Sequence, residues 1–417
     1  MEGIIEAITV TALVLILHVY IGYPAILWLL SKALKGKPIN RSDQFEPNVT
    51  LMISCYNEID VVEEKIQNAL TLDYPKEKLN IVVISDGSDD GTDDVAKKYE
   101  DKGVTLVRQE GRLGKTSAIN LAMTTCTTDI VVFSDANAMY QPDALKKLVR
   151  NFNDPEIGYV VGAALYTDGS ESSASASEDL YWKYEIALKT MESNLHSVVG
   201  GDGAIYAIRR ELYIPLDQKD INDFVNPLQI IEQGYRGIFD KEAICLEETA
   251  GDFSKEYKRK QRIVNRSFRG LMKVKSVLNP FKFGFYSFEI ISHKLLRWLQ
   301  PIFIATFALG AVTLGLLGNE FYKYMSLLGF VFLWLAQIGY LKSNQQHISK
   351  LFFIPYYFVM VNYYSLLGVI TALAGNIQVT WSTPRVNTKQ QNLVSKKSAI
   401  VLIISNIILI CLTLYMV

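Results

Sequence analysis

Apolar positions along this chain follow different periods, and the changes between them divide it. At 8–30, "ITVTALVLILHVYIGYPAILWLL" is apolar on every side and long enough to span a bilayer. From 48 onward the period shortens. "NVTLMISCYNE" at 48–58 reads as a strand, and 59–71 places Val61, Val62, Ile66 and Leu70 on one side of a helix that "LDYP" at 72–75 ends. Strands at 79–85, 104–107 and 130–134 then alternate with helices at 92–101 and 115–125, with Ser88, Asp89 and Thr92 as candidate caps for the first. Alternation of this kind, with strands apolar on both faces, predicts a parallel α/β sheet.

Beyond 150 the alternation loosens. Strands are expected at 159–166 and 203–210, a helix within 170–193, and at 224–240 a helix ending at Gly234 and followed by a strand. At 252–275 basic residues interleave with Ile263, Val264, Phe268, Leu271 and Met272 at amphipathic spacing. Such a helix suits the inner leaflet, a polyphosphate, or both. Four further apolar runs follow at 298–318, 322–341, 351–375 and 398–417.

Charge orients these runs. Glu2 and Glu6 precede the first, while Lys32, Lys35, Lys37 and Arg41 follow it, so the N-terminus is expected outside and residue 41 onward inside. The run lacks the basic flank and cleavage site of a secretory signal. Lys342, His347 and Lys350 on one side of 351–375, and Arg385, Lys389, Lys396 and Lys397 on the other, place both of its ends inside. Twenty-five residues are too few for two spans, so a re-entrant or interfacial segment is expected, its tyrosines at the interface; the alternative is a plain span that breaks the charge rule. The expected layout is a membrane helix and linker at 1–45, a cytoplasmic domain at 46–250, basic interfacial helices at 251–297 and a membrane region at 298–417, a multi-pass protein of the cell membrane. A net charge of −1, no basic tail and no zinc spacing exclude nucleic acid as the expected partner. The four cysteines are scattered and read as reduced thiols.

The chemistry begins with an echo. "IVVISDGSDD" at 81–90 and "IVVFSDANAM" at 130–139 each bring a strand to Ser-Asp. In open α/β sheets ligands sit beyond the carboxyl ends of the strands, so Asp86 and Asp135 can share one. "GRLGKTSAIN" at 111–120 adds glycines, Lys115 and a helix N-terminus, which favour an anion. Asp135 and Asn137 of "SDAN" offer two oxygen donors for a hard divalent cation. A nucleoside diphosphate with Mg²⁺ or Mn²⁺ fits these pieces. The plainer alternatives are that each Asp caps the helix after it, and that Asp223 in "INDF" caps the helix at 224–233.

"YNE" at 56–58, "SDGSDDGT" at 85–92, "GRLGKTSAIN" at 111–120, "SDAN" at 134–137 and "NDF" at 222–224 resemble, in order and spacing, the motifs of family 2 glycosyltransferases. The membrane layout resembles the branch holding hyaluronan, chitin and cellulose synthases and bacterial exopolysaccharide enzymes. The resemblance implies a Rossmann-like GT-A domain over about 46–285. It implies an inverting, metal-dependent transferase that moves a sugar from a nucleotide sugar, expected to be a UDP-sugar, to a growing polysaccharide. A single-sugar transferase acting on a lipid-linked acceptor is the alternative, and a catalytically dead nucleotide sensor the alternative of another class. By the same resemblance Tyr56, Glu58 and Asp86 are nucleoside contacts, Lys115 a diphosphate contact, and Asp135 with Asn137 the metal ligands. Asp223 matches the catalytic base, with Asn222 where the family has Glu. Gly201 lies on the acceptor-side strand, and Trp381, Thr383 and Arg385 of "VTWSTPR" match a segment that closes over the nucleotide. The family's QxxRW stretch is "QRIVN" at 261–265, so its Arg-Trp pair is Val264 and Asn265 here, and Arg262 and Arg266 remain as grips for the diphosphate. The missing Trp puts processivity in question.

Overall fold

The computed structural model describes residues 1–167, 173–248, 253–343, 348–376, 379 and 396–416. Among the described residues eight strands form one sheet: β1 (Val49–Cys55), β2 (Leu79–Ser85), β3 (Val104–Arg108), β4 (Ile130–Asp135), β5 (Met139–Tyr140), β6 (Ile157–Thr167), β7 (Tyr206–Arg209) and β8 (Arg236–Glu248). Their spatial order is β3-β2-β1-β4-β7-β6-β8-β5. The first four are parallel, as the alternation predicts. The other half departs from that expectation. β7 runs antiparallel to both β4 and β6, β8 is parallel to β6, and β5 is antiparallel to β8, so the sheet is mixed. The sequence hides this because β7 follows a helix as the parallel strands do, while its direction depends on a partner far along the chain.

Among the described residues the helices of more than one turn are α1 (Glu2–Ala33), α2 (Val62–Leu70), α3 (Thr92–Lys97), α4 (Lys115–Met123), α5 (Ala144–Val149), α6 (Ser173–Leu195), α7 (Asn222–Glu232), α8 (Phe253–Lys273), α9 (Phe285–Leu316), α10 (Glu320–Leu341), α11 (Lys350–Leu373) and α12 (Lys396–Met416). Two cores flank the sheet. One packs β1, β2 and β4 against α2 and α5 through Leu51, Ile53, Ile66, Val83 and Leu148. The other packs Met52, Phe133 and Tyr206 against α4, α7, α8 and Trp298 at the start of the apolar part of α9. Near-complete burial of β1 on both faces explains its unbroken apolar run.

Among the described residues, four helices, α1, α9, α10 and α11, are long and apolar enough to cross a membrane. Within the segment 351–375, residues up to Leu373 form one unbroken helix, α11, so the re-entrant form of the expected re-entrant or interfacial segment does not occur. α11 lies lengthwise along α8. The Tyr257 and Tyr364 rings stack at 5.5 Å, Lys260 donates to the Tyr357 hydroxyl at 2.7 Å, and Gly368 meets Val264. α8 is thus clasped by α11 on one side and α7 on the other, with Phe268 and Leu271 in the core. Its basic face is partly spent inside the protein: Arg269 and Lys273 both pair with Asp220, whose side chain is fully buried.

A buried polar network fastens α6 to the membrane-type helices. Glu192 accepts from the Tyr23 hydroxyl of α1 at 2.5 Å and from Val199 N–H at 3.2 Å, and lies 2.6 Å from His293 Nδ1 of α9. Glu185 pairs with Arg297 at 2.5 Å and with His293 Nε2 at 3.2 Å.

Candidate active site

β1, β2 and β4 are adjacent and end in register, with Ser54 opposite Asp135 and Cys55 opposite Ser85. The loops that follow carry Tyr56, Glu58, Asp86, Asp135 and Asn137 to one edge of the sheet. Side-chain bonds staple the first two loops together. Asn57, held at φ +52°, exchanges hydrogen bonds with Asp89: its Nδ2 donates to Oδ1 at 2.7 Å and its Oδ1 accepts Asp89 N–H at 3.0 Å. Ser88 Oγ accepts Asn57 N–H at 3.1 Å, and Thr92 Oγ1 accepts Glu58 N–H at 2.9 Å. Ser88, Asp89 and Thr92 therefore do not cap α3; Asp90 meets the Thr92 N–H instead, at 3.0 Å.

Asp86 is buried and organises the glycine-bearing loop. Its carboxylate accepts Leu113 N–H at 3.0 Å, Gly114 N–H at 2.9 Å on both oxygens, and the Gln109 amide. Burial raises its pKa, and those donors offset only part of the effect. The same loop lays the Arg112 guanidinium 3.9 Å above the Tyr56 ring. Gly114, at φ +98°, turns the chain into α4 so that Lys115 starts the helix and reaches Asp135 Oδ1.

The centre of the site is Gly203. A methyl group built on it would lie 3.0 Å from Asp223 Oδ2, 3.5 Å from Asp135 Oδ2 and 3.5 Å from Lys115 Nζ. Three side chains singled out in the sequence, from positions 115 to 223, thus face one small space. Asp223 stands in the first turn of α7, and its backbone carbonyl accepts Gly201 N–H at 2.6 Å. Gly201 is needed for that approach, since a Cβ there would lie 2.6 Å from the same carbonyl. Burial raises the pKa of Asp223; Lys115 and Arg266 pull it down, and Asp202 and Asp135 push it up. Asn222 turns inward and donates to the Tyr206 hydroxyl at 2.8 Å.

α8 supplies the opposite wall, and its two candidate arginines behave differently. Arg262 is half-buried, and burial with neighbouring Arg266 and Arg259 lowers its pKa to about 10, while Asp135 and Asp223 hold it up. Arg266 spends its donors on the protein: the carbonyls of Lys219, Gln218, Asp220 and Val379 and the Thr116 hydroxyl. Trp381 and Arg385 lie outside the described residues, although Val379, two residues earlier, rests on Gly114.

Several residues at the site carry no sequence signal. Asp202 is held by Lys189 at 3.2 Å. Glu247 is buried at the end of β8, and burial with Asp135 nearby raises its pKa to about 7. Lys65 is fully buried under the β4–β5 turn, where it donates to the Ala138 carbonyl and sits 4.0 Å from the Tyr140 ring centre. All three are scattered along the chain and meet only through the fold. Asp135 and Asn137 suit a divalent cation as a partial oxygen set, one carboxylate and one amide, that a diphosphate would complete. Among the described residues no group of three or more His, Cys, Asp or Glu side chains forms a metal-holding cluster.

Residues 50–214 match the family described as Glycosyl transferase family 2. The chain is 35% identical over 133 residues to the poly-beta-1,6-N-acetyl-D-glucosamine synthase of Staphylococcus aureus strain MSSA476, covering 31% of each chain. It is 29% identical over 167 residues to the synthase of that name from Staphylococcus epidermidis, covering 35% of this chain and 39% of that one. The match thus spans about a third of the length of these relatives. Among solved structures, the mannosyltransferase PcManGT from Pyrobaculum calidifontis, in complex with GDP-Man and Mn²⁺, superposes with a TM-score of 0.66 at 23% identity, over 88% of this chain and 99% of that one. Taken with the sheet order and the strand-end site, these likenesses show a GT-A-like mixed α/β domain in which residues 50–214 resemble glycosyl transferase family 2 and, over about a third of the chain, poly-beta-1,6-N-acetyl-D-glucosamine synthases, alongside helices of membrane-spanning length and character.

Proposed function

We propose that this chain is a membrane-embedded, inverting glycosyltransferase that transfers a sugar, N-acetylglucosamine first among the candidates, from its nucleoside diphosphate to an acceptor hydroxyl. The observation that carries the reading is the convergence of Asp135, Lys115 and Asp223 around the side-chain-free position of Gly203. Tyr56, Glu58 and Asp86 lie on the nucleoside side. Lys115 and Arg262 meet the diphosphate, with Arg266 shaping the wall behind them. A Mg²⁺ or Mn²⁺ ion held by Asp135 and Asn137 would neutralise charge on the leaving diphosphate. Asp223 takes the proton of the acceptor hydroxyl as that oxygen bonds to the anomeric carbon and the carbon–oxygen bond to the diphosphate breaks, inverting the centre. A carboxylate whose pKa is raised by burial suits that task, because it holds a proton more firmly than an exposed one. The sugar assignment draws on the related synthases, whose name specifies that polymer.

The length of the product is a separate question. Asn265 is 2% exposed and bonded to α11, so the position offers no aromatic face for a polymer end. That favours few additions per encounter, with a lipid-linked acceptor. The test is the full chain in detergent with a UDP- and GDP-sugar panel, Mn²⁺ or EDTA, and sizing of the products. Release of UDP from UDP-N-acetylglucosamine, abolished by EDTA, is the expected result. Asp223→Asn should lower turnover by about 10²–10⁴-fold while nucleotide binding persists. Parallel loss of binding would remove Asp223 from the role of base.

A further inference from the structure

We propose that Asn265 is a positioning residue for the donor site, tying the end of α11 and the stretch after it to the turn that carries Gly114 and Lys115. The proposal rests on the functional reading above and adds a residue to it.

Asn265 projects from α8 into the contact with α11. Its Nδ2 donates to Thr371 Oγ1 at 2.9 Å and to the Asn376 carbonyl at 3.0 Å, with the Gly368 carbonyl at 3.5 Å. Thr371 Oγ1 donates onward to the Leu367 carbonyl at 2.7 Å, so its lone pair is free for the amide. Gly368 permits the approach, since a methyl there would lie 2.8 Å from the Gln261 carbonyl and 2.9 Å from Val264 Cβ. Asn265 Oδ1 is buried without a partner. Burying that oxygen costs free energy, so the amide is retained for what its donors hold.

What the donors hold leads to the site. Arg266, the next residue on α8, donates to the Val379 carbonyl at 3.4 Å and to Thr116 Oγ1 at 3.2 Å. Val379 lies against Gly114: a Cβ on that glycine would stand 2.9 Å from Val379 Cγ1. Gly114 in turn gives its N–H to Asp86 and precedes Lys115, whose ammonium meets Asp135. Two neighbouring α8 residues therefore hold Asn376 and Val379, and Val379 backs the turn that presents the candidate nucleoside and diphosphate contacts. Loss of the Asn265 amide frees Asn376 first and loosens Val379 behind the turn, without touching the acceptor side at Asp223.

The experiment compares the full chain with Asn265→Ala, Thr371→Val and the double variant in detergent. It measures UDP affinity with Mn²⁺, donor KM and kcat, melting temperature, and amide exchange at 113–115. Asn265→Ala should raise UDP Kd and donor KM by about five- to tenfold, as expected for one or two neutral hydrogen bonds. kcat at saturating donor should hold within about threefold, because the acceptor side is untouched. Thr371→Val should shift the same constants less, and the double variant should match Asn265→Ala. Amide exchange at 113–115 should rise in Asn265→Ala even without nucleotide. A lower melting temperature with unchanged KM, a change confined to kcat, or unchanged exchange would each overturn the tie. If the unmodified chain binds neither UDP nor GDP with Mn²⁺, the functional reading fails on its own, and the exchange result still decides the role of Asn265.

Discussion

Gly203 shows how much one missing side chain decides. Its lack of a Cβ leaves room between Asp223, Asp135 and Lys115, the space where the reacting atoms of donor and acceptor would meet. Its φ lies outside the left-handed region, so alanine is compatible with the backbone there. Gly203→Ala should therefore fold, with a melting temperature near that of the unmodified chain. Its methyl would stand 3.0 Å from Asp223 Oδ2 and displace whatever approaches that oxygen. A misplacement of about 1 Å costs on the order of 10²-fold in rate, and that is the loss expected in initial-rate assays. Near-full activity in a folded Gly203→Ala protein would move the reaction away from this point. Asp135, Lys115 and Asp223 were legible from motif order. Gly203 was not, because a glycine signals close approach only when its neighbours in space are known.

At the scale of elements, α8 joins the sheet domain to α11 and divides its arginines between two tasks. Arg262 feels the charges of Asp135 and Asp223, whereas Arg266 stitches the carbonyls of 218–220 and 379 to the helix. Arg262→Ala should weaken UDP binding with little change in stability. Arg266→Ala should instead lower stability by at least about 2 kcal/mol, since hydrogen bonds from a charged donor contribute about 1.5–3 kcal/mol each and their acceptors are left unmet. Parallel calorimetry and UDP titration separate the two. Equal effects of both substitutions on both measurements would contradict the division. The amphipathic spacing of α8 was visible in the sequence, and it suggested a helix on a leaflet, a grip on a polyphosphate, or both. Lys273, one of the basic residues of that stretch, pairs with Asp220 at 2.6 Å. Periodicity reveals that a helix has two faces; it does not reveal what covers the polar one.

For the whole molecule, the network around Glu192 sets how the sheet domain sits on the membrane-type helices. Tyr23, His293 and the Val199 N–H all converge on one carboxylate that is fully buried. Glu192→Ala would strand those groups, at about 1–3 kcal/mol for each unsatisfied buried donor. The expected result is a marked fall in melting temperature in detergent, while Thr11→Val, which removes an exposed hydroxyl on α1, changes little. If the two variants melt alike, the domain is held to α1 and α9 by apolar packing alone. None of these partners is within a hundred residues of all the others, so the network could not be read from spacing.

The sequence by itself determined the parallel half of the sheet, the ends of its strands and the residues placed there. Those features are local. Apolar runs of strand length, glycines at turns and aspartates at strand ends act within a few residues of one another, and β2 formed over the predicted 79–85. It also located the apolar runs, because bilayer thickness sets a length that can be counted. Only the tertiary structure decided the direction of β7, the unbroken course of α11 along α8, and the unequal duties of Arg262 and Arg266. Each depends on which distant segment supplies the hydrogen-bond partner. A strand takes its direction from the neighbour it pairs with, and an arginine takes its task from the acceptors within reach. Both are properties of contacts between parts of the chain far apart in sequence, where pattern carries no distance.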